Sequence, residues 1–297
     1  MQAGWMVLAS WCFATMAVGI KFASESLSTA EVVLYRGLVS VVLMAWVLRV
    51  RGVPLATPVP WMHAWRTVIG VFSLATWFYA IAHLPLATAM TLNYMSGVWV
   101  AVFVVGGALL YGPVNRGQGS LLATVLMGFG GVVMMLRPTL AQNQLFAGLV
   151  GLLSGLGAAL AYLQVSALGR VGEPEGRTVF YFSVGTALAG LVAVLWQGWT
   201  PWSQVSLSSA LWLVPIGVLA SAGQYCMTRA YSRGATLLVA NLQYSGIVFA
   251  ALYSLVLFGD SIPWLGWAGM GLIVISGVLA TALRAQVLPR PAAQDGV

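Results

Sequence analysis

The sequence predicts an all-α integral membrane protein with ten transmembrane helices arranged as two inverted five-helix repeats. Of the 297 residues, 60% are hydrophobic and only 6% are charged, whereas roughly a quarter of the residues in soluble domains are charged. Apolar runs of about 20 residues, the length that crosses a bilayer core, recur along the chain. Related residues also recur in the two halves in the same order. Lipid is therefore expected to be the main solvent.

The apolar runs are separated by gaps that contain charged residues, prolines or glycines. The predicted spans cover residues 3–22, 30–49, 62–82, 86–108, 118–136, 146–167, 178–196, 209–228, 235–257 and 264–283. Prolines such as Pro85, Pro174 and Pro263 lie in the gaps, where helices are expected to end. Trp196 and Trp264 lie at span ends, as interfacial aromatic belts require.

The distribution of basic residues predicts the orientation, because cytoplasmic loops carry an excess of Lys and Arg. Ten basic residues fall on one side, namely Arg49, Arg51, Arg66, Arg116, Arg170, Arg177, Arg229, Arg233, Arg284 and Arg290. Lys21 and Arg137 fall on the other side. We therefore expect a multi-pass protein of a bacterial inner (plasma) membrane, with both termini in the cytoplasm.

A short polar pattern occurs once in each half of the chain. Ala87-Thr88 and Asn93 match Ala235-Thr236 and Asn241 in the same order and at the same spacing. We therefore assign residues 1–140 and 141–284 to two repeats and residues 285–297 to a cytoplasmic tail. Because each repeat has an odd number of spans, the second enters from the opposite side, which is typical of secondary transporters.

The motifs around these positions resemble those of the drug/metabolite transporter superfamily, of the EamA type, over nearly the whole chain. Trp77-Phe78-Tyr79-Ala80-Ile81-Ala82 runs into Leu86-Ala87-Thr88-Ala89, and Leu110-Tyr111-Gly112-Pro113 follows. The second half has Ala230-Tyr231, then Gly234-Ala235-Thr236, then Leu257-Phe258-Gly259-Asp260. The family pattern usually has Glu after the glycine, where this chain has Pro113 and Asp260.

The resemblance implies a central cavity walled by spans one to four and six to nine. It also implies peripheral fifth and tenth spans, which often form dimer contacts in the family. A second copy of the chain, in a homodimer, is therefore kept among the partners. The resemblance therefore implies a carrier similar to the family's exporters of amino acids and other metabolites, or to its carriers of riboflavin, S-adenosylmethionine or sugar derivatives.

The reactive side chains do not favour an enzyme. The two histidines, His63 and His83, lie about 30 Å apart along one predicted helix and cannot share a metal. All six acids fall in gaps, at span edges or in the tail, so no intramembrane carboxylate pair is expected. The net charge of +7 forms no basic face or arm, which argues against nucleic-acid binding. We expect no metal and no cofactor, and the expected partners are the lipid bilayer and a small-molecule substrate.

Polar and aromatic residues inside the spans are the candidate cavity residues, because amides and hydroxyls in hydrocarbon need a partner, water or a ligand. The candidates are Arg36, Trp77, Tyr79, Asn93, Tyr94, Ser96, Tyr162, Gln164, Gln224, Tyr225, Asn241, Gln243, Tyr244 and Ser245. The alternative is that they hydrogen-bond neighbouring helices and hold the bundle together. Both readings stay open at the level of sequence.

Arg36 is the candidate whose chemistry is most specific, because it lies about six residues inside the second span. One interpretation is that the guanidinium snorkels to the interface or caps carbonyls of a neighbouring helix. The other is that it binds an anionic group of the substrate with its planar fork.

These observations together favour a secondary transporter that exports or exchanges a small organic metabolite, such as an amino acid or a related amphipathic compound, by alternating access. The alternatives are an uptake permease for a vitamin or nucleoside-like metabolite and a membrane assembly protein without transport activity.

Overall fold

The computed structural model describes residues 2–96, 98–99, 144–233 and 242–287, together with short pieces between residues 120 and 134. The helices of the first part are α1 (Gln2–Ala23), α2 (Thr29–Val50), α3 (Pro60–His83) and α4 (Leu86–Asn93). Those of the second part are α5 (Leu145–Arg170), α6 (Glu175–Gln197), α7 (Leu207–Arg233), α8 (Ser245–Leu257) and α9 (Trp264–Val287). Residues 120–134 add further helical positions.

Six of the described helices, α1, α2, α3, α5, α6 and α7, are long and apolar enough to cross a membrane. Residues Ser245–Leu257 and Trp264–Ser276 form shorter apolar helices. The predicted spans agree with these bounds within a few residues, because apolar runs and their breakers are visible in the sequence. The large exposed side chains, such as Trp46, Leu195 and Val256, are apolar and form a surface that suits lipid.

Local sequence explains where the helices begin and end. Ser28 and Glu31 form a reciprocal capping box at the start of α2, which satisfies backbone donors there. Pro60 opens α3 at a position where its missing N–H is not needed. Gly198 ends α6 with φ 88°, a conformation that favours glycine.

Two helices predicted to be continuous contain a break, and this part of the prediction was wrong. The fourth span, predicted over residues 86–108, leaves the α-helix after Asn93, and a turn follows at Tyr94 and Met95. In the ninth span, predicted over residues 235–257, a turn at Tyr244 precedes α8. Side chains satisfy the carbonyl groups beside the second break, because Ser10 Oγ donates to Gln243 O at 3.3 Å. The polar residues at both breaks were interpreted as cavity or bundle contacts within continuous helices, so the breaks themselves were not predicted.

The helices pair between the two parts of the chain. The most extensive contacts join α1 with α7, α2 with α6 and α3 with α5, and α4 packs on both α5 and α8. The core contains buried side chains from α1, α3, α4, α5 and α7. A cavity between the two parts therefore has walls from both.

The crossing of α2 and α6 has almost no space between the two backbones. A Cβ atom on Gly37 would lie 2.5 Å from the backbone nitrogen of Ala187. A Cβ atom on Gly190 would lie 2.5 Å from the backbone nitrogen of Leu34. Each helix thus contributes one glycine that lets the partner backbone approach closely.

Candidate functional site

A small internal cavity lies where α1 to α7 converge. Its volume is about 50 Å³, which is room for water molecules but not for an organic metabolite. Its walls include Arg36, Arg66, Trp77, Asn93, Tyr162 and Gln224. Passage of a larger molecule through this region therefore requires the helices to move apart.

Arg36, on α2, is buried at this cavity with 1% of its surface exposed. Its Cζ atom lies 5.5 Å from the ring centroid of Phe182 and 5.9 Å from that of Phe78. Its Nε and Nη1 atoms donate to no acceptor among the described residues. Because the side chain is buried in the bundle, the snorkelling interpretation does not fit the structure.

Arg66, on α3, is a second buried guanidinium, and the sequence analysis missed it. The predicted span 62–82 already includes it, but its charge was counted with the cytoplasmic side and it was not considered for the cavity; on α3 it is 3% exposed. Its Cζ atom lies 4.2 Å from the Phe182 centroid. Gly70, one turn later, leaves the room that this side chain occupies. A sequence signal for the buried position of Arg66 does exist. Pro60 marks the start of the helix, and Gly70, four residues after Arg66, lies on the same helical face and leaves space for its side chain.

The two arginines form an electrostatically unfavourable pair. Since both stack near one ring, their Cζ atoms lie at most about 10 Å apart, and at an effective dielectric of 20 they repel by at least about 1.7 kcal/mol. Desolvation adds several kcal/mol for each ion. Contacts with aromatic faces return about 0.5–2 kcal/mol each, which does not offset these terms.

No protein carboxylate neutralises this pair among the described residues. The ion pairs found there join Glu173 to His63 and to Arg177. The remaining buried acid, Glu31, binds Ser28 and Thr200 at one end of the bundle. In the parts of the sequence that the structure leaves undescribed, Asp295 in the tail is the single acidic side chain. The cavity thus carries an uncompensated positive charge.

The predicted polar cluster in the fourth and ninth spans lies beside the two helix breaks. Asn93 Nδ2 donates to Ser154 Oγ at 3.1 Å, and Gln243 Nε2 donates to Ser96 Oγ at 3.0 Å. Tyr231 donates its hydroxyl to Gln243 Oε1 at 3.0 Å. The hydrogen bond between Ser96 and Gln243 therefore links the segment just before α8 to the chain that follows α4, as the bundle-holding alternative requires.

The other candidates divide between the cavity and the rest of the bundle. Trp77, Asn93, Tyr94, Tyr162 and Gln224 line the cavity together with Arg36. Tyr244 is buried, and Ser245 donates to Leu242 O at 2.7 Å. Asn241 lies outside the described residues.

Three predicted cavity residues lie elsewhere in the described structure. Tyr79 stacks on His83, with centroids 4.1 Å apart near the end of α3. The Tyr225 hydroxyl accepts from Arg51 Nη1 at 2.5 Å beside the end of α2. Gln164 is half-buried on α5 and is not part of the cavity wall. An aromatic or amide residue type does not indicate which helical face the residue occupies, and a role for these three residues in substrate binding stays a prediction.

Polar contacts join the two parts of the chain at both ends of the bundle. At one end Glu31, at the start of α2, accepts hydrogen bonds from Thr200 N at 2.9 Å and Thr200 Oγ1 at 2.5 Å. At the other end Glu173 accepts from Thr57 Oγ1 at 2.8 Å and contacts His63 Nε2 at 2.8 Å. Here too Arg177, at the start of α6, donates to Ala56 O. We call these contacts the Glu31 latch and the Glu173 latch.

Comparison with known proteins identifies the class of protein. The chain is 35% identical to the pseudopaline exporter CntI of Pseudomonas aeruginosa over 278 residues, which is 91% of this chain and 92% of that protein. The chain belongs to the same family of membrane transporters. Helical spans and this family membership make it a multi-pass membrane transporter.

Two further relatives are also transporters. An uncharacterized transporter of Helicobacter pylori is 26% identical over 92% of both chains. A riboflavin transporter of Rhizobium johnstonii is 26% identical over 91% of this chain and 87% of that protein. No family model matches the sequence. A solved crystal structure with 20% identity matches with a TM-score of 0.63 over 95% of this chain and 98% of the other, which supports the fold alone.

Proposed function

We propose that this transporter exports a small organic metabolite by alternating access. The observation that carries the proposal is the similarity to the pseudopaline exporter, which extends over nine-tenths of both chains. A cavity between the two parts of the chain supports it, because a binding site at such an interface opens to either side when the parts rock. The substrate itself stays a separate question.

The architecture we propose is ten helices in two inverted repeats, residues 1–140 and 141–284, of the EamA type. The packing supports it. If α1 to α4 correspond to α5 to α8, the pairing of α1 with α7 corresponds to that of α5 with α3. The pairing of α1 with α8 corresponds to that of α5 with α4. The pairs α2–α6 and α4–α8 each correspond to themselves, as a pseudo-two-fold axis requires.

The contacts at helix ends support the inversion. Ser209 Oγ at the start of α7 donates to Phe22 O at the end of α1, and Lys21 Nζ donates to Leu84 O just after α3. The end of α5 leads instead to the Glu173 latch, beside the start of α3. Thus α1 and α5 run in opposite directions.

The two latches suggest how rocking is controlled. Each one joins the start of α2 or the start of α6 to a loop of the other part of the chain. Opening the bundle at one end breaks the latch there and leaves the opposite latch intact. Alternating access requires that only one end of the bundle is open at a time.

Export is favoured by the similarity to the pseudopaline exporter, and the riboflavin transporter, at lower identity, supports a vitamin as the alternative substrate. Exchange of two metabolites is a form of the same mechanism. When Arg66 is counted with the cavity and not with the ten basic residues of one side, nine remain on the side we propose as cytoplasmic and two on the other. We accordingly place both termini in the cytoplasm of an inner-membrane protein, with a homodimer through the peripheral spans as its proposed assembly.

Transport is tested with the purified full chain in liposomes filled with a bacterial metabolite extract. Mass spectrometry of the external medium over time should show selective loss of a small set of compounds. The inactive control is Gly190→Val, which blocks the α2–α6 crossing, and the matched variant is Gly271→Val, where a Cβ atom meets nothing within 4 Å. A profile identical for wild type and Gly190→Val, combined with crosslinking to a stable partner protein, would establish the assembly alternative.

A further inference from the structure

We infer that the substrate is an organic dianion, and that Arg36 and Arg66 bind its two negative charges inside the bundle. This inference rests on the proposed transport function and specifies the substrate class. It goes beyond a single anion contact at Arg36, because the structure places two guanidinium groups at one cavity.

The first step is that the positive charge is built into the cavity and is not a surface feature. Arg36 and Arg66 are 1% and 3% exposed, so neither head group lies at the surface of the protein. They come from different helices, α2 and α3, and meet at the ring of Phe182 on α6. Phe182 therefore contacts both guanidinium groups.

The second step is that donors are free. The Nε and Nη1 atoms of both arginines lack an acceptor among the described residues. Burying such donors unpaired is unfavourable, and pairing each fork with a carboxylate or phosphate group restores charge-assisted hydrogen bonds. Two forks with no protein carboxylate beside them require an occupant that carries two negative charges.

The third step is that the remaining wall suits an organic body rather than a free inorganic ion. Phe13, Leu74 and Trp77 supply apolar surface, and Asn93 and Gln224 supply amides that accept or donate. The Trp77 indole N–H also lacks an acceptor among the described residues. A short carbon chain with an acidic group at each end matches this lining.

The fourth step concerns size. The cavity of about 50 Å³ is smaller than any such molecule, so binding must widen it. A dianion neutralises both guanidinium groups, and this gain is the reason why the bundle accepts the substrate only in that form. Neutral analogues of the same size gain the apolar contacts but leave both guanidiniums unpaired.

The test uses three compounds of matched size in chloride-free buffer: succinate, succinamate and succinamide, with two, one and no carboxylates. Glycerol 3-phosphate and inorganic phosphate form additional arms, which separate a carboxylate from a phosphate ligand and an organic from an inorganic one. The readout is the thermal unfolding midpoint of the purified full chain, which rises when a ligand binds the folded state.

We expect stabilisation in the order succinate, succinamate, succinamide, or by glycerol 3-phosphate if the acid group is a phosphate. Arg36→Lys and Arg66→Lys keep the charge but lose the fork, and each should weaken the dianion by about tenfold or more. Arg49→Gln, at an exposed arginine, is the control and should leave affinity unchanged. If Arg36→Gln or Arg66→Gln, which also remove the charge, fails to fold, the two Lys variants still decide the test.

The inference is overturned if succinamide stabilises the protein as well as the dianions do, if no dianion stabilises it, or if inorganic phosphate alone does. Retention of full dianion affinity in both Lys variants would also overturn it. The liposome assay distinguishes this failure from failure of the proposed function. Transport of a neutral or cationic metabolite would leave the transporter intact and remove only the two-arginine site.

Discussion

The tight crossing of α2 and α6 gives a quantitative prediction for stability. Replacing Gly37 by Ala puts a Cβ atom 2.5 Å from Ala187 N, 2.7 Å from its Cα and 2.9 Å from its Cβ. Replacing Gly190 by Ala gives 2.5, 2.6 and 2.9 Å to the same atoms of Leu34. Because carbon contacts are optimal at about 3.5–4.0 Å, each substitution should push the two helices apart by about 1 Å.

The expected loss is about 1–3 kcal/mol in the free energy of unfolding for each single variant, as for other overpacked interfaces. The two sites share one crossing, so the helix separation forced by the first substitution also makes room for the second. The double variant Gly37→Ala/Gly190→Ala should therefore lose clearly less than the sum of the singles.

Reversible unfolding in mixed micelles measures these differences. Gly271→Ala and Gly4→Ala are the controls, because an added Cβ atom meets nothing within 4 Å at either helical position. They should leave stability unchanged or raise it by about 0.4–1 kcal/mol, since alanine restricts the unfolded chain. Additive losses in the double variant, or single losses no larger than those of the controls, would refute the close crossing described here.

Four further predictions concern the two latches, the polar cluster and the topology. Glu31→Gln weakens the contacts with Thr200 and should lower the unfolding free energy by about 1–3 kcal/mol; unchanged stability would argue against the latch. Glu173→Gln should increase thiol labelling of Cys-substituted cavity positions from the Glu173 side only, and an increase from the opposite side would contradict the assignment. Asn93→Ala should impair transport more than surface expression, and wild-type transport would make Asn93 a packing residue. A reporter that is active only in the cytoplasm should be active when it is fused after Arg284. Activity of an externally active reporter at the same position would contradict the predicted topology.

The helix positions were largely predictable from the sequence. Bilayer thickness fixes the length of a span, and prolines and glycines mark the gaps, so the bounds of α2, α3 and α6 agree with the predicted spans within a few residues. The helix breaks beside Asn93 and Gln243 were not predicted, because polar residues inside a span do not distinguish a broken helix from a continuous one. The carbonyl of Gln243 is satisfied by Ser10, which is far away in the sequence.

The candidate site was only partly predictable, because membership depends on helical phase and on partners far away in sequence. Arg36 was found because it lies well inside an apolar run. Arg66 was missed because it lies only four residues inside the predicted span 62–82, so its charge was counted with the cytoplasmic side and not with the cavity. Tyr79 and Tyr225 were placed in the cavity by residue type and lie near the ends of α3 and α2 instead.

The measurement that tests the central claim most directly is two-sided labelling of the cavity in oriented vesicles. Ala161→Cys, on the cavity wall, is placed in a chain whose Cys12 and Cys226 are replaced by Ala. Arg170→Cys and Ser203→Cys, exposed at opposite ends of the bundle, report which side the reagent has reached. Alternating access predicts that a membrane-impermeant thiol reagent labels position 161 from either side. Labelling from one side only, or from neither side while both controls react, would contradict the account.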